Sequence, residues 1–114
     1  MKWHKFPEKL PPKDLVVITV LYGPDEDKCV ACLLAYCPCG SCGWHTNDAV
    51  FKDAPVVEWS RLENIKKDSL DLFAKTLATE TYTADVLDKE EIIEIIKKKT
   101  EDICLSFATE EAIG

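Results

Sequence analysis

Leu15-Val16-Val17-Ile18-Thr19-Val20, then Gly23-Pro24-Asp25-Glu26-Asp27, then Cys29-Val30-Ala31-Cys32-Leu33-Leu34-Ala35-Tyr36: the fold turns on how these three segments are read. The first is a β-branched run bounded by Pro11-Pro12 and Gly23-Pro24, the composition of a strand between breakers. The second carries Gly, Pro and three acids, which suits an exposed turn. The third is a short apolar run whose length and neighbours favour a strand, although periodicity alone also allows one or two helical turns. Strand, turn and strand in this order fit a small antiparallel sheet.

Working outward, Pro38, Gly40 and Gly43 predict a tight irregular segment after the second strand. Val56-Val57-Glu58-Trp59 reads as a final short strand. From residue 63 the pattern changes period. Asp68 or Ser69 can cap a helix with Leu70, Phe73 and Leu77 on one face. Thr79 to Thr83 breaks it. Asp88 then caps a second helix, with Glu91 at capping-box spacing. Ile92, Ile96, Ile103 and Phe107 share one side of it, widened by Ile93 and Ile95. Such a stripe must be buried, because an isolated helix of this kind is marginal in water. The expected fold class is α+β. A small antiparallel β-sheet in a Trp- and Cys-containing domain over 1–62 is followed by two C-terminal α-helices, an extension over 63–114 packed on it.

The 114 residues are 46% hydrophobic and 31% charged, an ordinary globular composition that argues against disorder. The formal charge is −7, with −2 in residues 1–60 and −5 in 61–114. An acidic surface repels phosphate, so no nucleic-acid partner is expected. Lys97-Lys98-Lys99 is the only basic run and reads as a solvated helix face. No apolar run reaches the roughly 20 residues of a membrane span, and Met1 to Pro12 lacks the apolar centre of a secretory signal. A cytoplasmic protein with no membrane partner is the expectation.

Five of six cysteines lie between positions 29 and 42. In a cytosolic chain such clustering favours metal or redox chemistry over a disulfide framework. Two C-x-x-C pairs, Cys29/Cys32 and Cys39/Cys42, provide four sulfurs, and zinc takes four N or S donors in a tetrahedron. The candidate zinc ligands are therefore Cys29, Cys32, Cys39 and Cys42, with Cys37 or His45 as substitutes. Free buried thiols and disulfides remain alternatives. The order strand, loop and Cys29-Val30-Ala31-Cys32 also fits a thiol–disulfide oxidoreductase, yet too few residues follow for the helix that lowers a thiolate pKa. No phosphate loop, hydrolase nucleophile or zincin motif is present, so no catalytic residue is assigned. Asp25, Glu26 and Asp27 lack the alternation of a calcium loop. Cys104 beside the helical stripe reads as a small buried hydrophobe.

Trp3, Glu8, Leu10 and Pro11 form W-x4-E-x-L-P, and Val57, Trp59 and Leu62 form V-x-W-x-x-L. Over residues 2–62 this pair resembles a small phage and prophage family of unknown function. The resemblance implies a small antiparallel β fold, an accessory role, and Trp3 and Trp59 packed on one sheet. Glu63 stands where the family closes with proline, and the cysteine cluster and the helices lie outside the family pattern. The reading is a non-enzymatic interaction module with a candidate structural zinc site. Its partner would be an unidentified protein, for instance a host protein, or a second copy meeting the Ile92–Ile96 stripe in a homodimer. An acidic inhibitor of a host protein is the further alternative.

Overall fold

The computed structural model describes residues 1–23, 28–39, 42–46, 48–62, 65, 67–79, 82–83 and 88–107. Its strands are β1 (His4–Lys5), β2 (Val16–Gly23), β3 (Lys28–Cys37), β4 (Gly43–His45), β5 (Val50–Phe51), β6 (Val56–Arg61) and β7 (Tyr82–Thr83). A 3-10 turn, Lys67–Ser69, leads into α1 (Leu70–Thr79), and α2 runs Lys89–Phe107. The strands form one antiparallel sheet in the order β1-β6-β2-β3-β4-β5, with β7 pairing the start of β3. The α+β arrangement of an antiparallel sheet followed by two helices is thus observed. The turn expected over 23–27 lies, from Pro24 on, outside the described residues, as do Gly40 and the Asp25–Asp27 acids.

The hairpin β2–β3 is the centre. Its register runs from Val16 opposite Ala35 to Gly23 opposite Lys28. Because side chains alternate across a strand, it feeds two cores. On one face Ile18, Val20, Cys29 and Ala31 meet Phe73 and Leu77 of α1 and Ile92, Ile93 and Ile96 of α2. On the other, Val17, Leu34, Trp44, Val56 and Trp59 are covered by Phe6 of the N-terminal segment and by Ala54. The helical stripe is therefore satisfied within the chain. Ile92 and Ile96 have no exposed surface and pack against the sheet and α1. Trp3 and Trp59 share the sheet but take opposite faces, Trp3 toward the helices and Trp59 away from them.

The second helix starts where the sequence signals place it, directly after Asp88. Ile92 N–H donates to Asp88 O at 3.0 Å, closing the first turn of α2 just after Asp88. Phe73 and Leu77 are buried on α1, and Phe107 meets Phe73 edge-on at 5.4 Å between ring centroids. Four short strands went unread, β1, β4, β5 and β7. Each has only two or three residues, too few for a hydrophobic period to register.

Lys97 departs from the solvated face expected of the lysine run. Its ammonium reaches Glu58 of β6 at 3.1 Å and Glu94 at 3.0 Å, and lies over the Trp3 ring at 5.8 Å. Burial disfavours its charge, yet the hydrogen bonds to Glu94 and Glu58 outweigh that and hold its pKa above the ordinary lysine value. Glu58 sits on the helix-covered face because it pairs with Val20, which points there, and a bulge follows it in the ladder. Val20 pairs with Glu58 and Leu21 with Val56, leaving Val57 as the extra residue. Lys97→Met is expected to cost about 2–4 kcal/mol, since the nearly buried carboxylate would lose its counter-ion. The double variant Lys97→Met/Glu58→Gln should recover part of that loss. Urea unfolding of the three proteins checks it; equal stabilities would show that water already serves the pair.

Candidate metal centre

The cysteines divide according to the pleat of β3. Cys29 faces the helices and is fully buried in that core. Cys32, three residues on, faces the other core, where the Thr19 hydroxyl lies 3.5 Å from its sulfur. An odd spacing along a strand puts two side chains on opposite faces. This corrects the expected ligand set: Cys29 and Cys32 cannot close on one metal. Nor can they form the disulfide of an oxidoreductase, which needs sulfurs about 2 Å apart. Along β3 they also stand about 26 and 16 Å of strand from Cys37.

Cys29 behaves as a buried hydrophobe. Desolvation pushes its thiol up to about 12. Burial also raises Cys32, partly offset by the Thr19 hydrogen bond. Burial, with Glu101 nearby, pushes half-buried Cys104 up to about 11. A folded-state pKa above the unfolded value contributes stability that is complete below the unfolded pKa and lost as pH rises toward the folded one. For Cys29 that window lies between about 9 and about 12. Cys29→Ala should be less stable than the native chain at pH 7. The gap should then narrow as pH climbs above about 9. Parallel stability curves for the two proteins would show that Cys29 ionises freely in the fold.

The other three cysteines converge. Cys37 closes β3, Cys39 lies in the connection, and Cys42 precedes β4. Their sulfurs all lie within 4.8 Å of one another, and Cys37 Sγ is 3.1 Å from Cys39 Sγ. These three could hold a metal ion. Sulfurs on a tetrahedral zinc with arms of about 2.3 Å sit about 3.8 Å apart, so the Cys37–Cys39 contact would open by less than about 1 Å and no other pair would close by more than about 1 Å. The Cys37 thiol donates to Cys39 Sγ, and the Cys42 thiol, donating to Cys39 and then to Cys37, is pushed up to about 11 with help from burial. A cation supplies what three crowded sulfurs need in order to ionise together.

The scaffold explains why the thiols meet. Cys37 pairs with Gly43 across the β3–β4 ladder, and Cys42 N–H donates to Cys39 O at 3.3 Å, folding the connection back. Gly43 has φ +61°, and a Cβ there would lie 2.6 Å from Lys52 O. Only glycine fits both the backbone angle and the approach of β5. The opposite face is pinned by aromatic rings. Tyr36 and Trp44 are a cross-strand pair 5.0 Å apart, and Phe6 packs edge-on to both at 5.3 and 5.1 Å. The hairpin end is thus held by packing from below and presents sulfur above.

His45, a substitute ligand in the sequence reading, lies on β4 and lines the same open depression as Cys37 and Cys42. Cys37, a substitute in the sequence reading, belongs to the cluster, and Asp14, whose carboxylate meets His45 Nε2 at 3.1 Å, was not among the expected residues. The strand reading of 29–36 already held the signal, since a C-x-x-C inside a strand splits its sulfurs. Asp14 carried no local signal, because it reaches the site only through tertiary pairing with β3. No protein-family model, curated protein or solved structure matches this chain.

Proposed function

We propose that the chain is a non-enzymatic interaction module whose β3–β4 hairpin is tied by a metal ion on Cys37, Cys39 and Cys42, with zinc as the metal. The observation that carries this is the convergence of three sulfurs within 4.8 Å on a hairpin end backed by packed aromatics. Three thiolates are soft donors, which favour zinc or Cu(I) over magnesium or calcium. Zinc needs no redox partner and suits a site whose work is structural. The resemblance over residues 2–62 adds an accessory role of phage or prophage type to the proposal. Its partner would be a protein rather than nucleic acid, in keeping with the charge of −7. Among the described residues no helix is long and apolar enough to cross a membrane.

The test is elemental analysis of protein purified without a metal-affinity tag. About one zinc per chain is expected. It should be lost in Cys39→Ser and Cys42→Ser and kept in Cys29→Ala and Cys32→Ala. Chelation should lower the melting temperature, because a ligand at 100 times its Kd adds about 2.7 kcal/mol. Metal-free protein with an unchanged melting temperature in added zinc would overturn the proposal.

A further inference from the structure

We infer that His45 is the fourth ligand of this metal centre, binding through Nδ1, and that Asp14 is the positioning residue that turns the ring toward it. The inference rests on the three-cysteine site proposed above and adds a donor and its support. Three sulfurs fill three corners of a tetrahedron, so a structural zinc needs one more protein donor. His45 pairs with Ala35 across the β3–β4 ladder, two residues along from the pair Cys37–Gly43. Its side chain therefore shares a face of the sheet with Cys37, and because its ring nitrogens are not within 4.8 Å of all three sulfurs, metal binding would draw the ring and the thiols together.

Asp14 approaches β3 from the other side. Its backbone N–H donates to Tyr36 O at 2.8 Å, next to the bridge between Lys13 and Tyr36. Its carboxylate meets His45 Nε2 at 3.1 Å. The two side chains thus join over β3, on the face that Ala35 and Cys37 share, where alanine leaves room for the crossing. A carboxylate only accepts, so Nε2 carries the proton and, in the neutral ring, Nδ1 keeps its lone pair. A carboxylate–histidine pair of this kind fixes tautomer and orientation at metal sites. Asp14 holds φ +60°, a left-handed conformation uncommon outside glycine. Such outliers gather where a side chain must be aimed.

Co(II) is the probe, titrated into the full chain. Sulfur-to-metal charge transfer counts the thiolates, and the ligand-field bands report the fourth donor. The native chain should show both. His45→Ala should keep the charge-transfer band, alter the ligand-field bands, and bind Co(II) at least about tenfold more weakly. Asp14→Asn should weaken binding by about tenfold with the ligand-field bands retained, as expected for an outer partner. Cadmium NMR on nitrogen-labelled native protein gives a readout that needs no variant, a metal coupling to His45 Nδ1. Charge transfer with unchanged bands and affinity in His45→Ala, or a coupling through no histidine nitrogen, overturns the His45 assignment and leaves the cysteine site standing. No charge-transfer band in the native chain overturns both.

Discussion

Trp59→Ala should remove about 3–5 kcal/mol of folding stability, the range for a fully buried aromatic truncated in a core. Trp59 is 1% exposed and ties the N-terminal segment to the sheet in three ways. Its ring stacks at 4.6 Å on His4, its indole N–H donates to Lys9 O at 2.8 Å, and its backbone pairs with His4 in the β1–β6 ladder. It also lines the second core with Val17, Leu34 and Trp44. Removal would leave a cavity and an unpaired Lys9 carbonyl together. A domain of this size has a total stability of only about 5–15 kcal/mol, so the loss is a large fraction of it. Residues 1–12 should then become the first site of proteolysis, since Phe6 and Ser60 anchor them through the same strand. Denaturant unfolding and mapped proteolysis check this. A cost under about 1 kcal/mol, with the native cleavage pattern, would show that the N-terminal segment folds onto the sheet without Trp59.

The second large effect is expected at Gly43. A left-handed conformation costs an ordinary residue about 1–2 kcal/mol, and the new Cβ would also press on Lys52 backbone, 2.6 Å from its oxygen. Gly43→Ala should therefore cost about 2–4 kcal/mol in total. Metal binding should weaken by about tenfold or more, because Gly43 pairs with Cys37 and follows Cys42. Gly43→Asn separates the two causes. Asparagine accepts positive φ more readily but carries the same Cβ, so it should be nearly as harmful if the clash dominates. Stability and Co(II) affinity of both variants are the measurements. An alanine variant with native stability would mean that β5 yields without cost.

Together these variants separate the frame from the site. Trp59 acts through the second core, and the loss there should leave the thiols of Cys37, Cys39 and Cys42 able to converge in the folded fraction. Gly43 acts on the hairpin itself, so stability and metal affinity should fall together. Lys97 acts on the helix-covered face, remote in sequence from Cys37, Cys39 and Cys42, and should leave metal affinity unchanged.

Local chemistry pointed to strands at 15–20, 29–36 and 56–59, the second on length and neighbours rather than on period, and to both helices with their buried faces. β-branched runs, breakers, caps and the 3.6 period act within a few residues of one another, and a central strand long enough to alternate shows its pattern in one dimension. The same local reading could assign the cysteines only by spacing, and spacing misleads when the pair lies within a strand, where Cys29 and Cys32 turn to opposite faces. Which sulfurs meet, why Lys97 is not a surface lysine, and why Asp14 stands beside His45 were decided by tertiary pairing. The strand ladder, the Lys97–Glu58 pair and the return of residues 13–14 to β3 join residues up to 44 positions apart. No local pattern records such contacts, because their energy exists only once the chain has closed on itself.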